Sequence, residues 1–242
     1  MRRICIVGLC LVAMFALSAV SASSASAGEL LFRAKTGSIV GGGFLWLSGL
    51  ALLGGTPGEK IDCQHIRSNG LFLSTTLGHG LLLFLGCSIQ VSASNFKCTS
   101  LGEATGNIHI SLAKFHLGLA HLGTNGNIPA ILTTLPSGGV SFSCSGASFT
   151  LLGGVIGALQ KTNGEPVGLN LPFQAINLVY KQSSGKQELR LILMPGGALE
   201  EHDLKNVSGG GSTELWLVLS TGTLDGFTNN KGEATEIELV EP

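Results

Sequence analysis

Six histidines, His65, His79, His109, His116, His121 and His202, are the residues of this chain best suited to move protons or hold a metal. Their spacing favours neither role, because no H-x-H or H-E-x-x-H arrangement occurs. His109 and His116 fall on opposite faces of a strand unless a bulge reunites them. No metal site is expected. Glycoside hydrolysis needs two carboxyl groups about 5–10 Å apart across a cleft; Asp62, Glu103, Asp225 and Glu233 are the candidate acids, each more simply read as a surface or turn residue. A G-x-S-x-G nucleophile elbow is missing at Ser145, where Ser143 stands in place of the first glycine. The stretch Gly55-Thr56-Pro57-Gly58-Glu59-Lys60 lacks the glycine before lysine that a phosphate loop needs, and Ile61 replaces the magnesium-binding hydroxyl. The expectation is a protein without catalytic centre or cofactor.

Binding chemistry is thin as well. Trp46 and Trp216 are the candidate ligand-contact residues, since an indole face can stack on a sugar ring. Both lie among leucines, so core packing is the simpler expectation, and Tyr180 is the single tyrosine. Basic residues are scattered singly, which excludes nucleic acid as a partner because phosphate neutralisation requires clusters. No Asp, Glu, Lys or Arg occurs between Lys35 and Glu59, Arg67 and Lys97, or Lys114 and Lys161. The first of these stretches has nearly the length of a membrane span. Its glycines at 37, 41, 42, 43, 49, 54 and 55 make a poor helix, at about 1 kcal/mol each relative to alanine, so short strands broken at glycine turns are expected instead.

Arg2 and Arg3 precede an apolar run from Ile4 to Val20, and Ala25-Ser26-Ala27 completes a secretory signal with cleavage expected after Ala27. That leaves one β-rich extracellular domain over residues 28–242, secreted or at the cell surface, with no stable transmembrane span. Without Arg2 and Arg3, 12 basic residues face 15 acids. Cys63, Cys87, Cys98 and Cys144 remain, an even set that outside the cytoplasm reads as disulfides. Of the three pairings, Cys87 with Cys98 across a hairpin at Ser92–Asn95, and Cys63 with Cys144, is expected.

The elements that must position these residues are strands. From Leu81 to Ala93 the odd positions are apolar, which places Leu81, Leu83, Leu85 and Cys87 on an inward face. Val140, Phe142 and Cys144 alternate with serines in the same way, and Ile237 and Leu239 alternate with Glu236 and Glu238. Apolar parity changes between Ile108-Ile110-Leu112 and Phe115-Leu117-Leu119, which predicts a bulge with Lys114 at the switch. A helical turn or two is expected only through Ala198–Leu204. Many short strands between glycine-rich turns indicate an all-β antiparallel sandwich or barrel, jelly-roll-like, after the signal helix.

Several strings carry a resemblance: Met1-Arg2-Arg3-Ile4, Leu9-Cys10-Leu11-Val12-Ala13, Ala22 to Ala27, Phe84-Leu85-Gly86-Cys87, Lys97-Cys98-Thr99-Ser100, Gly106-Asn107-Ile108, Phe142-Ser143-Cys144 and Gly154-Val155-Ile156-Gly157. In these the chain resembles a set of secreted proteins of high-GC Gram-positive (actinobacterial) soil bacteria, up to about Leu159. The resemblance implies secretion and disulfides and supplies no catalytic residue. The expected function is non-enzymatic binding at or beyond the cell surface, of a glycan or a surface protein. A hydrolase with converging carboxylates would show a cleft holding them, and a structural or membrane-associating protein would expose an apolar patch built from Phe44 to Leu53.

Overall fold

Alternation of inward apolar and outward polar side chains, repeated from strand to strand, closes this chain into a barrel. The computed structural model describes residues 30–55, 60–121, 126–184, 186–208, 212–219 and 222–241; the expected signal segment lies outside them. After β1 (Leu31–Ala34), the chain climbs through β2 (Gly43–Ser48) and β3 (Ala51–Gly54) and descends through β4 (Lys60–Cys63) and β5 (His65–Phe72). It climbs again through β6 (Leu77–Leu85) and β7 (Ser88–Val91), and descends through β8 (Ser94–Ser100) and β9 (Ile108–His121). β10 (Asn127–Thr134) and β11 (Val140–Cys144) lead up to the long β12 (Ala147–Gln160), which runs down unbroken.

The next ascent starts as β13 (Ile176–Val179) and is interrupted by an excursion carrying β14 (Gln182–Ser183), β15 (Lys186–Gln187), β16 (Leu191–Leu193) and β17 (Leu199–Glu201). It resumes as β18 (Leu204–Asn206), and β19 (Thr213–Leu219) and β20 (Gly222–Asp225) descend to the starting edge. There β20 pairs with β2 and β19 with β3, so the eight staves close. β21 (Ile237–Val240) pairs with β1, their ladder flanked by the ion pairs Arg33–Glu238 and Lys35–Glu236, both 2.7 Å.

Each stave lies beside the next in sequence, so this is an antiparallel barrel of the up-and-down kind. The all-β barrel expectation holds, while the jelly-roll connectivity is replaced by a meander. Residues after Leu169 complete the same barrel. Thr36–Gly58 contributes β2 and β3, as the glycine argument required, and among the described residues no helix is long and apolar enough to cross a membrane. The segment expected to turn helically, Ala198–Leu204, is strand instead, because Leu199–Glu201 pairs with Leu191–Leu193.

The interior is aromatic along its length. Rings touch in series from Phe173 through Phe227, Phe72, Phe44 and Phe115 to Trp46 and Tyr180, with centroids 5.0–6.5 Å apart. Eight staves leave little room for such rings, so glycine stands beside them. Gly70 faces Phe44 in register, where a Cβ would collide with the ring, and a Cβ on Gly222 would lie 3.0 Å from the Trp46 Nε1. The buried Tyr180 hydroxyl meets Thr133 Oγ1 at 2.8 Å, and burial pushes its phenol pKa up.

A bulge on β9 supplies the predicted parity switch, two residues earlier than Lys114. Gly80 pairs with Ala113 and Leu82 with Ile110, so Ser111 and Leu112 oppose Leu81 alone. The bulge keeps Ile110 and Ala113 inside and turns Leu112 out, 66% exposed, at a φ of 58°. A left-handed backbone costs a leucine about 1–2 kcal/mol.

The predicted inward face of β6 is reversed. Gly78, Gly80 and Leu82 are buried, whereas Leu81, Leu83 and Leu85 face outward and are half-buried. Cys87 and Ile89 are inside, as expected, whereas Val91 and Ala93, the last members of the same odd series, are exposed at the hairpin between β7 and β8. The phase changes at Gly86, whose φ of 67° is open to glycine without strain.

All four cysteines are bonded, but the pairing is Cys63–Cys87 and Cys98–Cys144, not Cys63–Cys144 and Cys87–Cys98. They form one buried row across neighbouring strands. The expected hairpin is present, yet the Cys98 amide donates to the Cys87 carbonyl (3.0 Å). The Cys87 amide itself donates to the Gly106 carbonyl (2.6 Å), so the middle step carries a single ladder hydrogen bond. The outer steps, with Cα atoms 4.0 and 4.1 Å apart, take the disulfides.

Candidate functional site

The barrel interior is filled. Its main cavity, about 50 Å³, is lined by Trp46, Leu53, Ile61, Phe84 and Phe142 among other apolar side chains, and a second measures about 20 Å³. Ligand pockets are commonly about 300–1,000 Å³, so neither holds a sizeable molecule. Trp46 is 1% exposed and its Nε1 has no partner. Trp216 points to the outer side of β19, over Gly54, and is 7% exposed. Both indoles are buried, as the core-packing expectation held, so neither offers a face to a solvent-borne sugar.

The candidate acids lie outside the barrel, each on a different element. Asp62 is on β4, Glu103 in the loop before β9, Asp225 on β20, and Glu233 in the loop before β21, where it accepts from Asn229 (2.9 Å). Among the described residues no group of three or more His, Cys, Asp or Glu could hold a metal. Glu103 Oε1 does meet His109 Nδ1 at 2.9 Å, two members of a catalytic triad. The third is missing: His109 Nε2 is buried without a partner, and Ser100 Oγ accepts from the His109 backbone amide instead (3.1 Å). Neither residue lines a cavity described here, so the contact pins the 101–107 loop onto β9.

A larger hollow, about 510 Å³ and open to solvent, is bordered by Gln174, Asp225, Phe227 and Glu236. Hydrogen bonds from Lys35 and Gln174 hold the Glu236 carboxyl below the usual carboxylate range. A glycosidase acid needs the opposite shift.

The two outer faces of the barrel differ in what covers them. On one, Ala120, Ala130, Leu132, Ile156 and Ala158 of β9, β10 and β12 form a second core beneath Leu189 and Ile192 of the excursion. Arg190 anchors that excursion through Glu201 (3.1 Å), Asp203 (2.7 Å) and Glu214 (3.5 Å). His116 is half-buried on β9, and burial, followed by the nearby Lys114 charge, lowers its pKa. Protonation of His116 therefore favours the unfolded chain, so its contribution is present above the ordinary pKa and is lost as pH falls from about 6.5. Melting of His116→Gln should lose less stability between about pH 7 and about pH 5 than the unaltered chain. An equal slope would reject this role for His116.

On the other face, β2, β5, β6 and β9 carry leucines in register. Leu47, Arg67, Leu83 and His109 form one row, and Leu45, Asn69 and Leu81 the next, with Leu112 of the bulge beside Leu81. Leu71, His79 and Lys114 form a third. Leu45, Leu47 and Leu71 are 45–48% exposed. Leu45 and Leu47 come from the Phe44–Leu53 stretch named as a possible apolar patch, whereas the β6 leucines were missed because their odd parity assigned them to the interior; the signal for them was Gly86 directly before Cys87. No family model matches the chain, and neither a curated protein nor a solved structure matches it.

Proposed function

We propose that this protein is a secreted, non-enzymatic β-barrel that acts by binding at or beyond the cell surface, through the outer face of β2, β5, β6 and β9. The observation that carries the reading is the row of outward leucines left open on that face while the interior is packed and the opposite face is covered by the chain's own excursion. The two disulfides fit an oxidising compartment. Exposed leucines gathered on one face in this way mark an interaction surface in soluble proteins. The apolar interior is also the reverse of a membrane-spanning barrel, whose lumen is polar.

The test is sedimentation of the exported protein with washed bacterial envelopes, compared with Leu45→Ser/Leu47→Ser. These side chains leave the interior untouched, so the variant should keep its circular dichroism and lose most of the bound fraction. Equal partition of both proteins would overturn the reading. So would turnover of a glycan, peptide or ester that is abolished by Asp225→Asn or Glu103→Gln.

A further inference from the structure

We infer that the occupant of the leucine face is the surface of an anionic lipid bilayer, an inference that rests on the binding role proposed for that face. Charge is the first argument. Arg67 and Lys114 stand among the leucines, both exposed, and neither makes an ion pair with the described residues. His65, His79 and His109 share the face. The acids lie at its borders: Asp225 opposite Leu45, and Glu103, which is engaged by His109. The uncompensated charge inside the patch is thus positive, which complements anionic headgroups.

Shape and residue type supply the second argument. The face spans four strands and three residue rows, about 14 by 14 Å at normal strand spacings. It lies on the outside of a closed barrel, where the surface curves away. Protein hot spots favour Trp, Tyr and Arg seated in pockets, and leucine is under-represented there. Here the apolar groups are leucines. Aliphatic side chains that enter the acyl boundary while Arg and Lys stay at headgroup level form the pattern of interfacial membrane binding. Leu112 adds an independent sign. The bulge that keeps Ile110 and Ala113 inside also holds Leu112 outward, 66% exposed, beside Leu81, and bulges of this kind re-aim side chains.

Flotation with vesicles tests the assignment. Probes are vesicles of phosphatidylcholine alone and of phosphatidylcholine with about 30 mol % phosphatidylglycerol. The unaltered protein should bind the anionic vesicles and bind the neutral ones much less. Leu45→Ser/Leu47→Ser should weaken binding at least about tenfold, since each leucine loses its burial in the acyl boundary. Arg67→Gln and Lys114→Gln should each weaken it about fivefold, and added salt should weaken it further. Leu199→Ser, a 57% exposed leucine on β17, should bind as the unaltered protein does. Thermal melts identify any variant that fails to fold, in which case Arg67→Gln and Lys114→Gln carry the test. Binding to envelopes without binding to anionic vesicles would overturn the lipid assignment and leave the binding role standing, with a protein as the occupant. Loss of both would overturn the two together.

Discussion

Replacing Cys98 and Cys144 together by alanine will destabilise the folded chain by about 4 kcal/mol, and replacing Cys63 and Cys87 by slightly less. The order follows from loop length. The two bonds close 46 and 24 residues, and in the chain-entropy description the cost of closure in the unfolded state rises with the logarithm of that length. Guanidinium unfolding of each double variant measures the loss. Peptide mapping without reduction should recover a fragment joining Cys98 to Cys144 and none joining Cys87 to Cys98. If the Cys63/Cys87 variant proves the weaker of the two by a clear margin, loop closure is not the dominant contribution.

Trp46→Ala should cost about 3–5 kcal/mol, the range for removing a large aromatic side chain from a packed core. The loss has a sharp internal control. Leu45 and Leu47 flank Trp46 in sequence and point the other way, so alanine at either should change stability by only about 0.5 kcal/mol. Trp46→Phe should fall well below Trp46→Ala: it keeps an apolar ring against Phe115 and removes an Nε1 buried without a partner. Denaturant titrations of the four variants check this, and comparable losses at positions 45 and 46 would contradict the assignment of inner and outer faces.

The strands themselves were legible in the residues because alternation is a local property. Val140, Phe142 and Cys144 are buried as their spacing implied, and so are Ile237 and Leu239. The bulge on β9 could be inferred because burial on one face survives a change of parity only if an extra residue is inserted. Phase was harder to read. Leu81, Leu83 and Leu85 are as apolar as any core strand, and only the positive φ at Gly86 separates them from Cys87. The β6 half of the leucine face depends on that phase, so it stayed hidden while Cys87 was placed correctly. The disulfide pairing was equally closed to sequence reasoning, since it turns on which cysteines the strand register brings together. That Trp46 and Trp216 share burial yet occupy opposite sides of the wall also depends on register alone.

The ladder between β1 and β21 joins Arg33 to Glu238 across a sequence separation of 205, and β20 seals β2 across a comparable span. Contacts this distant make closure late and slow, because the chain must meet its own beginning before those pairs give any stability. Until then the partly formed sheet has two unpaired edges, of which the first stave is rich in leucine, and such edges recruit other chains. The disulfide row spans residues 63–144 and can staple the middle of the sheet early, while the finished barrel has to wait for β19 and β20.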